Sequence, residues 1–224
     1  MLPSILKEKG VDHLHYMAHI ENAKLILALG IFSYNKGKKI PHVDVSMERV
    51  QWLRKNTKLP NGKSIHDYVP LYFGIFTPMQ YVLTYGSSNY DNPIGRKNLV
   101  FFEIDAEQVF SQDGIYFTDG NAASFFTQIY NDFDKLERLD WHIIMNVRKC
   151  LSQEYKRKKA AEVLVPNWVP PSWFTRVVVY CQNSQDYLYE EFKNIIPTLK
   201  EAGLDKYLEI RDDIPIEIDY SHYF

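Results

Sequence analysis

The sequence predicts a single mixed α+β domain, and three observations lead to this prediction. The chain has 224 residues, of which 46% are hydrophobic, and a chain of this size can bury one sizeable core. Segments typical of strands alternate with segments of helical periodicity, but they do not repeat as regular βαβ units. The sequence lacks a GxGxxG fingerprint, so a doubly wound dinucleotide-binding sheet is not indicated. We therefore expect strands and helices in irregular order over residues 1–224.

The first half of the chain alternates apolar, β-rich runs with short amphipathic segments. The apolar run HYMA reads as a strand, and the periodic segment after it stops at Gly30, a common helix terminator. Proline marks the start of a later helix. In chain order we predict a strand at 14–18, a helix at 20–29, a loop at 33–46, a short helix at 47–55, a strand at 68–75 and a helix at 78–85.

The second half is predicted in the same way from β-branched runs, turns and periodic segments. The run NLVFFEI is the strongest strand candidate, and TRVVVY is another. The predicted elements are strands at 98–104 and 116–118, a polar turn at 119–121, a charged stretch of helical character at 122–161, strands at 162–165 and 175–180, a helix at 184–202 and a strand or extended segment at 207–219.

Cysteine and histidine usage limits the classes of site. The two cysteines, Cys150 and Cys181, lack metal-like spacing, which is typical of a reducing cytoplasm and argues against a disulfide scaffold. On a strand His13 and His15 would share a face, but no carboxylate or cysteine cluster accompanies them in the sequence, so we expect no metal. No apolar run has the length of a membrane span. We expect a cytoplasmic protein without a membrane partner.

The charge balance gives no global sign of nucleic-acid binding. The formal net charge is −2 and the pI is about 6.4, so any grip on a polyanion must be local. Runs of charge are most often solvated faces, and the alternative is a phosphate-binding groove. Two basic clusters are candidates: Lys36, Lys38 and Lys39, and then Arg148, Lys149, Lys156, Arg157, Lys158 and Lys159.

One carboxylate stands out from its surroundings. Glu162 follows two alanines and begins an apolar β run, in which it would share a face with Leu164 while Val163 and Val165 face the other way. A charge at the start of a buried strand is costly unless it is paired or faces a cleft. Two interpretations stay open: a strand-edge side chain in solvent, or a carboxylate aimed into a pocket, where it orients a hydroxyl or accepts a proton.

Several segments in a fixed order resemble a known family from about residue 14 to about residue 182. The most specific piece is HDYVPLYF followed by PMQY. The others are HYMAHIEN, VQWLR, TDGNAA, LDW and KAAEVLVP. In these pieces the chain resembles the DarT toxins, the DNA ADP-ribosyltransferases of bacterial toxin–antitoxin pairs.

This resemblance implies an ADP-ribosyltransferase-like fold, in which two small β-sheets flanked by helices form an NAD cleft. NAD is then a co-substrate. The family's catalytic Glu corresponds to Glu162 and its essential Arg to Arg54, or to Arg49 if the gap near residues 60–62 is placed differently. The implied NAD contacts are Tyr16, Met17, Ala18, Leu25, Ser33 and Arg54. Tyr16 and Ala18 depart from the family, which often has His and Thr there. Tyr72, Phe73 and Tyr81 are core residues or a wall for the nicotinamide or adenine ring.

The resemblance also implies partners. The target is a base in single-stranded DNA, guanine or thymine, and the TDGNAA and AEVLVP pieces look more like the guanine-modifying branch. The stretch from about 119 to 161 corresponds to the target-recognition loop, with Lys156, Arg157, Lys158 and Lys159 placed for phosphates. A macrodomain antitoxin that reverses the modification is implied as well. The alternatives are a protein or RNA target, a non-catalytic NAD- or nucleic-acid-binding module, and a generic α+β binding protein without an NAD site.

Overall fold

The computed structural model describes residues 1–149, 152–204, 207–209, 211 and 213–224. The strands are β1 His13–His19, β2 Ile31–Phe32, β3 Tyr68–Tyr72, β4 Leu99–Asp105, β5 Tyr116–Thr118, β6 Ile129–Tyr130, β7 Glu162–Pro166, β8 Trp168–Val169, β9 Phe174–Val179 and β10 Ile216–Ile218. The α-helices are α1 Ser4–Glu8, α2 Ile20–Leu29, α3 Tyr34–Gly37, α4 Glu48–Asn56, α5 Pro78–Tyr85, α6 Ala106–Phe110, α7 Gln153–Lys159 and α8 Gln182–Glu201. In the described parts of the chain, no helix is long and apolar enough to cross a bilayer.

The main sheet has eight strands in the order β10-β9-β4-β1-β3-β7-β5-β6. All neighbours are antiparallel except β9 and β10. In its middle, β1 and β3 share one register pair, His15 with Tyr72, whereas β1 and β4 pair along their whole length. Beyond that pair the two strands diverge, so the sheet consists of two four-stranded halves joined at one point.

The predicted α+β class is confirmed, but the sheet arrangement differs from the prediction of two small sheets. The chain forms one eight-stranded sheet and one two-stranded sheet, β2 with β8. The single pair His15–Tyr72 accounts for the difference, because it joins halves that would otherwise be separate sheets.

Local chemistry explains the elements that were predicted closely. Helix α2 is capped at its start by His19, whose Nδ1 accepts from the Glu21 amide, and at its end by Gly30. Gly30 has φ of +82°, and a Cβ there would collide with the Val169 carbonyl, so glycine is required. Helix α5 begins with Pro78 after Thr77, whose hydroxyl accepts from the Gln80 amide.

Strand β7 shows the alternation predicted for it. Val163 and Val165 belong to the main core, whereas Leu164 packs in a smaller cluster with Tyr68 and Tyr116. Both faces of this strand are therefore covered, and Glu162 at its start lies between two apolar layers.

The stretch 122–161 is less helical than predicted. It contains β6, a 3-10 segment Phe133–Arg138, a π-helical turn His142–Asn146 and only then α7. Asp132 caps the 3-10 segment, and the Trp141 indole donates to the Leu136 carbonyl, so side chains satisfy backbone groups that a continuous helix would pair internally. Cys150 lies outside the described residues. Among the described residues of the C-terminal tail, only Ile216–Ile218 forms a strand.

Candidate active site

Glu162 is buried at the start of β7, with 1% of its surface exposed. Its Oε1 accepts a 2.8 Å hydrogen bond from the Ala122 amide. Its own amide donates to the Thr118 hydroxyl at 3.1 Å, and that hydroxyl lies 3.2 Å from the Glu162 carbonyl. The carboxylate is therefore fixed by the end of β5 and by the turn that follows it.

Arg54 neutralises this buried carboxylate. From the last turn of α4, its Nη1 lies 3.1 Å from both Oε1 and Oε2 of Glu162. Burial acts to lower the pKa of Arg54, but the charge and hydrogen bonding of Glu162 outweigh it, so the pKa lies above its usual value. Arg49, the competing candidate, is exposed on α4, and the structure thus pairs Arg54 with Glu162.

The turn that holds Glu162 is clamped by Arg157. The Arg157 guanidinium donates to the Asp119 carboxylate at 2.8 Å. The backbone carbonyl of Arg157 accepts from the Asn121 amide at 2.9 Å. A Cβ at Gly120 would lie 2.6 Å from Arg157 Nη1, so the turn packs against this side chain at a distance that only glycine allows. Arg157 is thus a support for the position of Ala122.

A cavity of about 420 Å³ opens where β1 and β3 diverge. The five residues predicted to contact NAD beside Arg54 all line it: Tyr16, Met17, Ala18, Leu25 and Ser33. Arg54 lines it too, and the opposite strand contributes Tyr68, Pro70 and Tyr72. Its volume lies within the range of small-molecule sites. The structure brings these residues together at one cavity, and their contacts with NAD stay a prediction.

Two polar atoms at the cavity lack partners within the described chain. Arg54 Nη2 and Ser33 Oγ are both buried without a hydrogen bond. Buried polar groups are normally satisfied, so Arg54 and Ser33 are cavity-lining residues that each hold a polar atom without a partner in the described chain. Glu162 itself lies beneath Arg54 rather than in the cavity wall.

Tyr72 is the neighbour of Glu162 on the adjacent strand. The two residues are register partners of β3 and β7, so their side chains share a sheet face. Burial, followed by the charge of Glu162, raises the pKa of Tyr72 well above its usual value, so the phenol stays protonated. Of the three aromatics considered as a ring wall, only Tyr72 lines the cavity, because Phe73 is fully buried and Tyr81 is half exposed.

The predicted phosphate-binding cluster is largely engaged within the protein. Lys159 is buried and its ammonium donates to the Ile144 carbonyl, and Lys158 pairs with Asp140 at 3.1 Å. Arg157 is part of the clamp on the turn that holds Glu162. Arg157 and Lys158 are half-buried and Lys159 is buried, so of the four side chains only Lys156 is exposed to solvent.

The amide of Ala122 is a functional group that the sequence did not reveal. Residues 118–123 belong to one of the segments that resemble the family, but a backbone donor leaves no signal in side-chain chemistry. The contact arises because the fold places the turn after β5 beside the start of β7.

Comparison with known proteins identifies the family. The family model described as "ssDNA thymidine ADP-ribosyltransferase, DarT" matches residues 15–214. A DNA ADP-ribosyl transferase of Thermus sp. (strain 2.9) is 26% identical over 193 residues, covering 84% of this chain and 89% of that protein. A DNA ADP-ribosyl transferase–DNA ADP-ribosyl glycohydrolase fusion protein of Thermosipho africanus (strain H17ap60334) is 30% identical over 181 residues, 74% of this chain and 42% of the fusion.

Solved structures show the same fold. Thermus sp. 2.9 DarT in complex with ADP-ribosylated ssDNA superposes with a TM-score of 0.79 at 23% identity, covering 96% of this chain and 97% of that one. The same Thermus protein in complex with NAD⁺ gives a TM-score of 0.72 at 23% identity, covering 96% and 98%. With the family model spanning most of its length, the chain belongs to the DarT family of single-stranded-DNA ADP-ribosyltransferases.

Proposed function

We propose that this protein binds NAD⁺ in the cavity between β1 and β3 and transfers ADP-ribose to a base of single-stranded DNA, with Glu162 as the catalytic carboxylate. The observation that carries the proposal is the buried pair Glu162–Arg54 beside a cavity with two unsatisfied polar atoms. Solved relatives with NAD⁺ and with modified DNA support both substrates.

Arg54 and Ser33 bind the co-substrate in this proposal. Arg54 Nη2 offers a charged donor, which suits a diphosphate or ribose oxygen. The Ser33 hydroxyl, at the start of α3, is the second polar contact. In this proposal the apolar side chains of Met17 and Leu25 pack against the flat faces of the NAD⁺ rings.

The chemical step breaks the bond between C1′ of the ribose and the nicotinamide nitrogen. Nicotinamide leaves with the bonding electron pair, and positive charge develops at C1′. A nitrogen of the target base supplies the electron pair of the new bond, and its proton passes to Glu162. The buried carboxylate also stabilises the developing cation, because its charge is little screened there. Arg54, whose pKa is raised, positions and neutralises and does not act as a base.

The DNA-binding surface in this proposal is the loop after β5. Phe125 and Phe126 are 96% and 76% exposed, an unusual placement for two adjacent aromatic rings. The same loop carries Ala122, which donates to Glu162, and Asn121, which lines the cavity. Exposed aromatic rings stack on unpaired bases, so they are suited to hold a single strand beside the catalytic carboxylate. Lys156 is the basic residue of α7 that remains available to a phosphate.

Replacing both Phe125 and Phe126 by alanine tests this surface. We expect single-stranded DNA binding to weaken by roughly 10- to 100-fold, since stacking contributes about 1–3 kcal/mol per base. The fold and the NAD⁺-induced rise in Tm should persist, because both rings are exposed. Fluorescence anisotropy with a labelled oligonucleotide measures the effect, and Tyr189→Ala, an exposed aromatic on α8, is the matched control. Unchanged DNA affinity in the double variant would remove this loop from the interface.

The target base has two candidates. The family description names thymidine, whereas the TDGNAA and AEVLVP segments resemble the guanine-modifying branch. Mass spectrometry of oligonucleotides that each contain a single reactive base, after incubation with NAD⁺, distinguishes them. We expect oligonucleotides with one of the bases to gain the mass of one ADP-ribose. The gain should occur in single strands and not in duplexes, because base pairing makes the reactive nitrogen inaccessible. Labelling of protein or RNA with no labelling of DNA contradicts the proposal.

One relative is the basis for proposing a partner that removes the modification. In the Thermosipho africanus relative, the transferase is fused to a DNA ADP-ribosyl glycohydrolase. We propose that this chain is a toxin and that a separate or fused glycohydrolase, such as a macrodomain antitoxin, reverses its product.

A further inference from the structure

A second cluster of ionisable residues lies on the sheet, away from the Glu162–Arg54 pair. His15, Glu103 and His222 each offer one ligand atom, and the three atoms lie within 4.8 Å of one another. His15 and Glu103 are register partners on β1 and β4, so they share a sheet face. His222 comes from the 3-10 turn Tyr220–His222 near the C-terminus. From this geometry we infer that His15, Glu103 and His222 form a binding site for one divalent transition-metal ion, with zinc as the best match.

The ligand types suit such an ion. Two imidazoles and one carboxylate are a common protein ligand set for zinc, and a fourth position is then left for water. His15 Nδ1 is buried without a hydrogen-bond partner in the described chain, so it has a lone pair to offer.

The surrounding charge also favours a dication. Glu103, Glu217 and Asp219 approach the single guanidinium of Arg176, at 2.8, 2.8 and 3.7 Å. Three carboxylates against one guanidinium leave an excess of two negative charges, not counting His222. A bound dication offsets that excess.

An outer layer of contacts holds the ligands in place. Asp219 Oδ2 lies 3.0 Å from His222 Nδ1, although the two are poorly aligned for a full hydrogen bond. A carboxylate behind a ligating histidine orients the ring and raises its basicity. Arg176 fixes Glu103 through two hydrogen bonds, of 2.8 and 3.0 Å. Arg176 and Asp219 are both partly exposed, which leaves a route for the ion from solvent.

Without metal, the same groups fasten the C-terminal turn. His222 Nε2 lies 2.8 Å from Glu103 Oε1, so this hydrogen bond closes the site. Binding replaces it with two bonds to the ion and draws His15 inward. His13, which the sequence grouped with His15, does not take part: its Nδ1 lies 3.4 Å from the Thr175 hydroxyl instead.

The test uses the full chain, free of any affinity tag, after chelator treatment. Co²⁺ titration followed by visible absorption, with Zn²⁺ calorimetry in parallel, should show saturable binding of one ion per chain. His15→Ala should weaken this binding by at least about 10-fold, and Asp219→Asn by about 10-fold, the lower end for an outer-layer partner. His13→Ala is the matched control and should bind as the wild type does.

A loss of metal binding in His15→Ala can be distinguished from a folding defect. His15 Nδ1 has no hydrogen bond to lose, and the circular dichroism spectrum and metal-free Tm of each variant show whether its fold is retained. If the wild type shows no saturable binding, or if His15→Ala binds as tightly as His13→Ala does, the site does not exist. Either result leaves the proposed transferase activity untouched, since that rests on Glu162 and Arg54.

Discussion

Replacing Glu162 by glutamine should lower the rate of DNA modification by at least about 100-fold while leaving NAD⁺ binding in place. Glutamine keeps the shape of the side chain and can still accept from the Ala122 amide, but it carries no charge and takes up no proton. Loss of a general base alone costs 10²- to 10⁴-fold, and loss of charge stabilisation adds to this. Single-turnover modification of an oligonucleotide measures the rate.

Two further measurements show whether the loss of rate in Glu162→Gln comes from the chemical step rather than from NAD⁺ binding or from the substitution itself. The rise of Tm with added NAD⁺ should stay close to that of the wild type, because Arg54 Nη2 and Ser33 remain at the cavity. Glu107→Gln, an exposed carboxylate on α6, controls for the substitution itself and should be fully active. Retention of more than a tenth of the wild-type rate in Glu162→Gln excludes Glu162 as the catalytic carboxylate.

Replacing Arg54 by alanine should abolish activity and also destabilise the fold. Glu162 is 1% exposed, so removing Arg54 leaves a buried carboxylate whose remaining donor is the Ala122 amide. Breaking a buried ion pair in this way costs about 3–5 kcal/mol, and for a domain of this size we expect Tm to fall by roughly 10 °C. Thermal unfolding followed by circular dichroism measures the fall. Arg49→Ala, on the exposed side of the same helix, should change the free energy of unfolding by less than about 0.5 kcal/mol.

The double variant Arg54→Ala with Glu162→Gln tests the cause of this instability. Because glutamine removes the uncompensated charge, the double variant should be more stable than Arg54→Ala alone. Equal instability of the two would mean that the Arg54 contribution is packing of its aliphatic chain rather than charge.

Where local signals were strong, the sequence predicted the elements that build the cleft. Helix α2 has the predicted bounds because helical spacing and Gly30 act at short range, and β1 lies within one residue of its predicted ends at His13 and His19. The alternation on β7 also predicted which side of the strand Glu162 would occupy. These are properties of neighbouring residues, and the sequence contains them directly.

The features that were missed depend on long-range packing. Helical periodicity over 122–161 was interrupted by capping and by indole contacts that only the folded chain provides. The basic run of α7 looked like a free surface, yet Lys159 and Arg157 point inward to groups up to 38 residues away in sequence. The grouping of His15 with Glu103 and His222 was not predicted, because these residues are distant from one another in the chain.

The single register pair between His15 and Tyr72 is the point about which the angle between the two halves of the sheet can change. Hydrogen-bonded strand pairs stiffen each half of the sheet, so each half acts as a rigid body that meets the other at this pair. Ala18 lies three residues beyond this pair, about 10 Å along β1. A change of about 6° in the angle between the two halves therefore alters the width of the cleft at Ala18 by about 1 Å. Displacements of that size change catalytic rates by about 100-fold. The width of the proposed NAD⁺ cleft is therefore set by the angle between two strands, at a pair whose Tyr72 lies directly opposite Glu162 on the next strand.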